Sequence, residues 1–270
     1  MTARLPVESA SAAMLDRPVA VRVADVDKTY RSKRGEVTAL SKLDFDVADE
    51  EFVTVVGPSG CGKSTILKII AGLMPPTRGT VEVFGEAVKA PRIDAGMVFQ
   101  SPRLLRWRTV LDNVLLPIEI LGLQRSRYEQ TAHDLLKLAG VHDFARMRPA
   151  ELSGGMQQRV AICRALIHDP RLLLMDEPFG ALDALSRDMM NVELMRIWNE
   201  RRKTTVLITH SIQEAIFLAD RVLVMGGRPG SIIAQVPIDL PRPRHPSVRG
   251  TARFQELSTQ IHRLLGVEHV

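Results

Sequence analysis

This chain lacks long apolar runs, which argues that it does not itself span a membrane. A membrane helix needs roughly 20 consecutive apolar residues, and the longest candidates, around Phe52–Val56 and Leu172–Met175, are strand-sized. Cysteine is scarce, with Cys61 and Cys163 the two thiols in 270 residues. Two thiols make no disulfide framework, and no CxxC pair or Cys/His cluster suggests a metal site. A reducing compartment is expected. The amino-terminal stretch has no basic segment leading into an apolar one, because Glu8, Ser9, Ser11 and Asp16 interrupt it. The expectation is no signal peptide and a loose tail over residues 1–17. Net charge is also small: 36 Lys and Arg against 31 Asp and Glu leave +5. That balance selects neither nucleic acid nor a membrane face. Sustained heptads and internal repeats are absent.

What is present is ordinary globular composition, 45% hydrophobic and 25% charged. At about 100–200 residues per domain, the length suits one large domain or two modest ones. Short β-rich runs alternate with helical patterns. Val19–Val23, Leu43–Val47, Phe52–Val56, Thr80–Phe84, Gly96–Phe99, Leu172–Met175, Thr205–Thr209 and Val222–Met225 read as strands. The central ones are apolar on both faces, as strands of a buried parallel sheet must be. Ser126–Glu129 reads as a capping box opening a helix to about Ala139. Met190, Leu194, Ile197 and Trp198 follow helical spacing as a core stripe. Residues 101–165 are mostly helical and interrupt the alternation, so an inserted helical subdomain is expected. The four prolines from Pro237 to Pro246, with Arg242 and Arg244, read as an extended, mildly basic connector before a final helix over about 249–265.

Gly57-Pro58-Ser59-Gly60-Cys61-Gly62-Lys63-Ser64 matches the phosphate-loop pattern GxxxxGK[ST]. An apolar strand precedes it and a helical run to about Ala71 follows, which is the context the chemistry requires. The glycines let successive backbone N–H groups turn inward as an anion nest, and the helix start adds its dipole. Lys63 is then placed for the β- and γ-phosphates and the Ser64 hydroxyl for Mg²⁺. Cys61 lies near the helix start, where a thiolate is favoured, and its alkylation is expected to block nucleotide binding sterically.

Leu172–Met175 runs straight into Asp176 and Glu177. A strand end of this kind presents Asp176 to the Mg²⁺ shell, through water, and Glu177 to the water that attacks the γ-phosphate. No NKxD base reader is present, which disfavours a GTPase. In Leu152-Ser153-Gly154-Gly155-Met156-Gln157-Gln158-Arg159, Ser153 is a helix N-cap, and Gly154 and Gly155 leave backbone N–H groups open. That is a second anion site on a different helix.

With these motifs in this order, the sequence resembles the ATP-binding subunits of ABC transporters from about Val21 to about Gln235. The resemblance implies an α/β phosphate-loop fold with a central, mainly parallel sheet, an antiparallel β subdomain and the inserted helices. A cassette over residues 18–240 would be followed by a connector and helix over 241–270. It implies ATP and Mg²⁺ as cofactors. Thr65, Gln157 and the signature Ser153, Gly154 and Gly155 would join the phosphate loop in holding nucleotide. Tyr30 falls where the family stacks an aromatic on adenine. Gln100 matches the glutamine that senses Mg²⁺ and the membrane partner. Ala181-Leu182-Asp183 matches the loop crossing the dimer interface, and His210 the histidine that contacts the γ-phosphate.

The resemblance further implies a pair of copies, because the signature of one subunit closes over ATP held by the other. Only 88 residues separate Ser64 from Ser153, without a coiled coil, and only 60 follow His210. A transport subunit on the cytoplasmic face of the inner membrane fits best. It would dock on transmembrane permease subunits and indirectly serve a solute-binding protein, with no nucleic-acid partner. Ser101–Val110, Arg228-Pro229-Gly230 and Leu240–Arg244 resemble the nitrate, sulfonate and taurine importer branch. Arg106 replaces that branch's usual proline, and Glu50 its usual glycine before Glu51. A lipid or export subunit, or an ATPase acting on DNA or ribosomes, remains the alternative.

Overall fold

Phe52–Val56 is buried at all five positions, and the loop that follows it shapes everything nearby. The computed structural model describes residues 17–32, 35–180 and 182–266. The expected tail, apart from Arg17, and Ala181 lie outside the described residues.

In chain order the strands and helices are β1 (Val19–Ser32), β2 (Gly35–Ala48), β3 (Phe52–Val56), α1 (Lys63–Ile70), β4 (Arg78–Val83), β5 (Glu86–Ala87) and β6 (Ala95–Val98). There follow α2 (Val110–Val114), α3 (Leu116–Ile120), α4 (Glu129–Leu138), α5 (Gly154–Leu166), β7 (Leu172–Asp176) and α6 (Ala184–Glu200). The chain closes with β8 (Thr204–Ile208), α7 (Ile212–Leu218), β9 (Arg221–Gly226), β10 (Ser231–Pro237) and α8 (Ala252–Leu264). Two units divide the chain, one comprising residues 1–91 and 206–270 and the other residues 92–205.

In the first unit, β2, β1, β4 and β5 form an antiparallel sheet in that order. β3 pairs parallel with β9, which pairs antiparallel with β10. β3 is buried at every position and β9 from Val222 onward, so water is excluded from both faces of the pair; Thr54 is the one buried polar residue in it and Arg221 stands at its edge. α7 contributes Ala215, Ile216, Phe217 and Leu218 to the same core, and α8 contributes Phe254, Leu257 and Ile261. Arg221 of β9 clamps buried Glu51 through two bonds of 2.9 Å, joining the β2–β3 turn to the sheet. Glu50 in that turn has a φ of 58°, the left-handed region where glycine is easiest.

In the second unit, β6 and β7 pair in parallel from Ala95↔Leu172 to Val98↔Met175. α5 packs on β6, and α2 and α4 pack on α5. The predicted stripe of Met190, Leu194, Ile197 and Trp198 on α6 is buried.

The expected capping box does not form. Ser126 lies in a single 3-10 turn, Arg125–Arg127, and α4 begins after Tyr128 without a side-chain cap. The working cap in this region is Thr109, whose Oγ1 accepts from Asp112 N at 3.1 Å. The predicted basic connector also folds inward. Arg244 is buried and donates to the carbonyls of Ile216, Phe217 and Ala219 at the end of α7, while Arg242 pairs with Asp220 at 2.7 Å. These carbonyls have no intrahelical donor, so the guanidinium fork serves as a helix C-cap.

Candidate functional site

The loop between β3 and α1 has the geometry of an anion nest. Gly60 and Gly62 take φ of 79° and 98°, and Gly62 occupies the N-cap position of α1. A side chain at Gly62 would collide with Leu40 Cδ2 at 2.4 Å, so the sequence needs glycine here for space as well as for φ. Lys63 is buried, and its ammonium donates to the carbonyls of Gly57 and Pro58 at 2.8 and 3.0 Å. The loop therefore curls around its own lysine. Ser64 and Thr65 stand half-buried in the first turn of α1.

Tyr30 of β1 leans toward this turn, with its hydroxyl 3.3 Å from Thr65 Oγ1. Tyr30 is 40% exposed, and Lys28 Nζ lies 5.5 Å from its ring centroid. Cys61 is fully buried, with Sγ 3.1 Å from where a Cβ on Gly57 would stand. The Cys61 thiol is thus turned beneath the loop.

His210 is exposed, directly after β8. Its turn is held from both sides. Thr209 N–H donates to Val55 O of β3 at 3.2 Å. Thr209 Oγ1 donates to the carboxylate of buried Glu214 and accepts from Ser211 N at 3.0 Å. Ser211 Oγ in turn accepts from Glu214 N at 3.2 Å as the N-cap of α7. Sequence reading missed Glu214, although a glutamate four residues past His210, in the first turn of a helix, was the available signal.

In the second unit, Asp176 ends β7 and Glu177 follows with a φ of 46°. A non-glycine residue in this region stores strain of order 1–3 kcal/mol. Glu177 O accepts from Gly180 N at 3.1 Å, closing the turn. Gln100, just past β6, donates its amide to Glu177 Oε2 at 3.2 Å. Buried Gln158 of α5 donates to Phe99 O at 3.2 Å and anchors the chain beside Gln100.

Ser153 caps α5, accepting from Met156 N at 3.3 Å, and nothing lies within 4 Å of a Cβ placed on Gly154. A Cβ on Gly155, by contrast, would meet Leu182 Cδ2 at 3.2 Å. Gln157 instead turns its amide back to Pro149 O and Leu152 O. Asp183 caps α6 through Ser186 N at 3.0 Å, and that bond holds its carboxyl below the usual range.

A buried strand feeding a glycine-rich nest and a helix, with a second, serine-capped helix start elsewhere, defines a phosphate-loop nucleoside triphosphatase. The family described as ABC transporter matches residues 40–180. The chain is 45% identical to a taurine import ATP-binding protein of Rhizobium johnstonii, over 85% of this chain and 89% of that one. It is 41% identical to a nitrate import ATP-binding protein of Synechocystis, over 91% and 94%. Among solved structures, a dimeric, post-hydrolysis ATP-binding cassette bound to ADP and Pi superposes with a TM-score of 0.73 at 33% identity, over 82% of this chain and 99% of that one. The chain belongs to the ABC transporter family, and it is that family's ATP-binding, ATP-hydrolysing cassette.

Proposed function

We propose that this ATPase energises a membrane importer of nitrate, sulfonate, taurine or a related small solute. It works as two copies on the cytoplasmic face of the inner membrane, docked on permease subunits that receive solute from a binding protein. The observation that carries the nucleotide chemistry is the nest from Gly57 to Ser64 at the start of α1, built around Lys63. Import is supported by the relatives named for taurine and nitrate import. Trp107 and Ile120, 72% and 74% exposed, supply apolar surface of the kind that docks on a partner.

The donor set suits Mg²⁺. Among the described residues, no group of three or more His, Cys, Asp or Glu could hold a metal alone. Mg²⁺ is usually bound through one or two carboxylates together with substrate phosphates, and it keeps several waters. The Ser64 hydroxyl, the Asp176 carboxylate through water and the Gln100 amide oxygen are hard oxygen donors of that kind. When bound, the ion neutralises charge on the β- and γ-phosphates.

The protein's own residues do the rest. Backbone N–H groups of the nest and the Lys63 ammonium bind the phosphates, and Tyr30 offers a ring to the base. Glu177 takes a proton from the attacking water, and His210 donates to the γ-phosphate. Ser153, Gly154 and Gly155 of the second copy close over the same nucleotide, with Asp183 crossing the interface.

The test is reconstitution with the permease and binding protein in vesicles, offering nitrate, taurine or alkanesulfonates. ATP turnover should rise with inward movement of one of them. Outward lipid movement, or stimulation by DNA without any membrane protein, overturns the proposal.

A further inference from the structure

Arg228-Pro229-Gly230, between β9 and β10, is used by none of the chemistry above, yet the structure sets it against the phosphate loop. Arg228 Nη2 donates to Ser59 O at 2.8 Å. The same nitrogen lies 3.0 Å from where a Cβ on Gly60 would stand, so the guanidinium packs directly against the Ser59–Gly60 peptide. Gly230 backs the loop from beneath. A Cβ there would fall 1.8 Å from Cys61 O, a separation that excludes every side chain. Gly230 is itself fixed to β2, donating from N to Ala39 O and accepting at O from Ser41 N, both at 2.9 Å. The loop after β9 is thus tied to the sheet at one end and to the phosphate loop at the other.

We propose that Arg228 is a positioning residue of the phosphate loop. In a trans peptide the C=O and the next N–H point in opposite directions. A guanidinium that holds the Ser59 carbonyl outward therefore turns the Gly60 N–H inward, to the side on which a nest presents its donors. Arginine suits the task because its planar fork is charged at every physiological pH and keeps further donors for water. The effect is on affinity, because the peptide is oriented before nucleotide arrives and the orienting cost is not charged to binding.

This inference rests on the reading of Gly57–Ser64 as the nucleotide cradle, and the experiment separates the two. ADP binding is measured by calorimetry, and ATP turnover by steady-state kinetics, on wild type, Arg228→Ala, Arg228→Gln and Lys63→Ala. Loss of one charge-assisted hydrogen bond on an exposed residue predicts roughly fivefold to tenfold weaker ADP binding for Arg228→Ala. KM for ATP should rise in the same ratio, with kcat at saturation changed by less than about twofold. Arg228→Gln, which keeps a neutral donor, should recover part of the affinity. An unchanged KM in Arg228→Ala, or a fall in kcat and thermal midpoint with KM unmoved, overturns the role of Arg228. Undiminished ADP binding by Lys63→Ala overturns the cradle reading instead.

Discussion

The Gln100 amide donates to Glu177 Oε2 at 3.2 Å, so the glutamine that leads out of β6 touches the carboxylate that ends the β7 turn. The two follow the ends of adjacent parallel strands, paired at Val98 and Met175, with Gln100 two residues past β6 and Glu177 one past β7. Glu177→Gln keeps that contact and removes the base. It should bind ATP with near-normal affinity, lose about 100-fold or more in turnover, and accumulate as a nucleotide-bound dimer on size exclusion. Turnover at the wild-type rate would take the base role away from Glu177.

Glu214 is expected to govern both stability and rate through the His210 turn. Its carboxylate is buried and accepts from Thr209 Oγ1. Glu214→Gln should lose roughly 1–3 kcal/mol in urea denaturation, the range for leaving a buried polar group without a well-matched partner. Glu214→Ala should lose more and also lower kcat, because the turn carrying His210 loses its support. Equal stabilities for the three proteins would show that the contact contributes nothing.

The thiols should be slow to react. Burial pushes the Cys163 thiol up to about 12, and its Sγ is 3.3 Å from Leu135 O. At neutral pH it therefore holds almost no thiolate, the reactive form. Cys61 is buried but belongs to a surface loop, so it should react first, through local opening, and ATP should protect it. A thiol titration of native protein checks the order. Rapid stoichiometric labelling of Cys163 would contradict it.

Residues buried on both sides were the most legible part of the sequence. β3 appears with the predicted ends, and β7 is extended by one residue, because short, mostly apolar and β-branched or leucine-rich runs bounded by turn residues suit a strand buried on both faces. β1 and β2 are much longer than the predicted Val19–Val23 and Leu43–Val47. Register shifts near Val26 and Lys28 break the alternation that pattern reading depends on. β10 went unseen for a related reason, its shift between Ile232 and Ala234 on a partly exposed strand.

The motif residues of the site were readable because a nest needs its glycines at fixed spacing. Their supports were not. The Thr209–Glu214 contact, the clasp of Arg228 on Ser59 and the burial of Arg244 all depend on which backbone carbonyls or hydroxyls happen to come near. Nothing in local composition encodes that. The connector containing Arg244 looked polar in sequence for the same reason: an arginine among helix-end carbonyls has the same letter as one in water.

The bond from Thr209 N–H to Val55 O has a mechanical meaning. Val55 stands two residues before Gly57, and Thr209 one residue before His210. The histidine and the phosphate loop are therefore mounted on neighbouring points of one stiff frame, like two jaws cut from the same block. Whatever part of the chain travels during an ATP cycle, the spacing between these two backbone points should hardly change, and His210 can adjust chiefly by rotating its side chain.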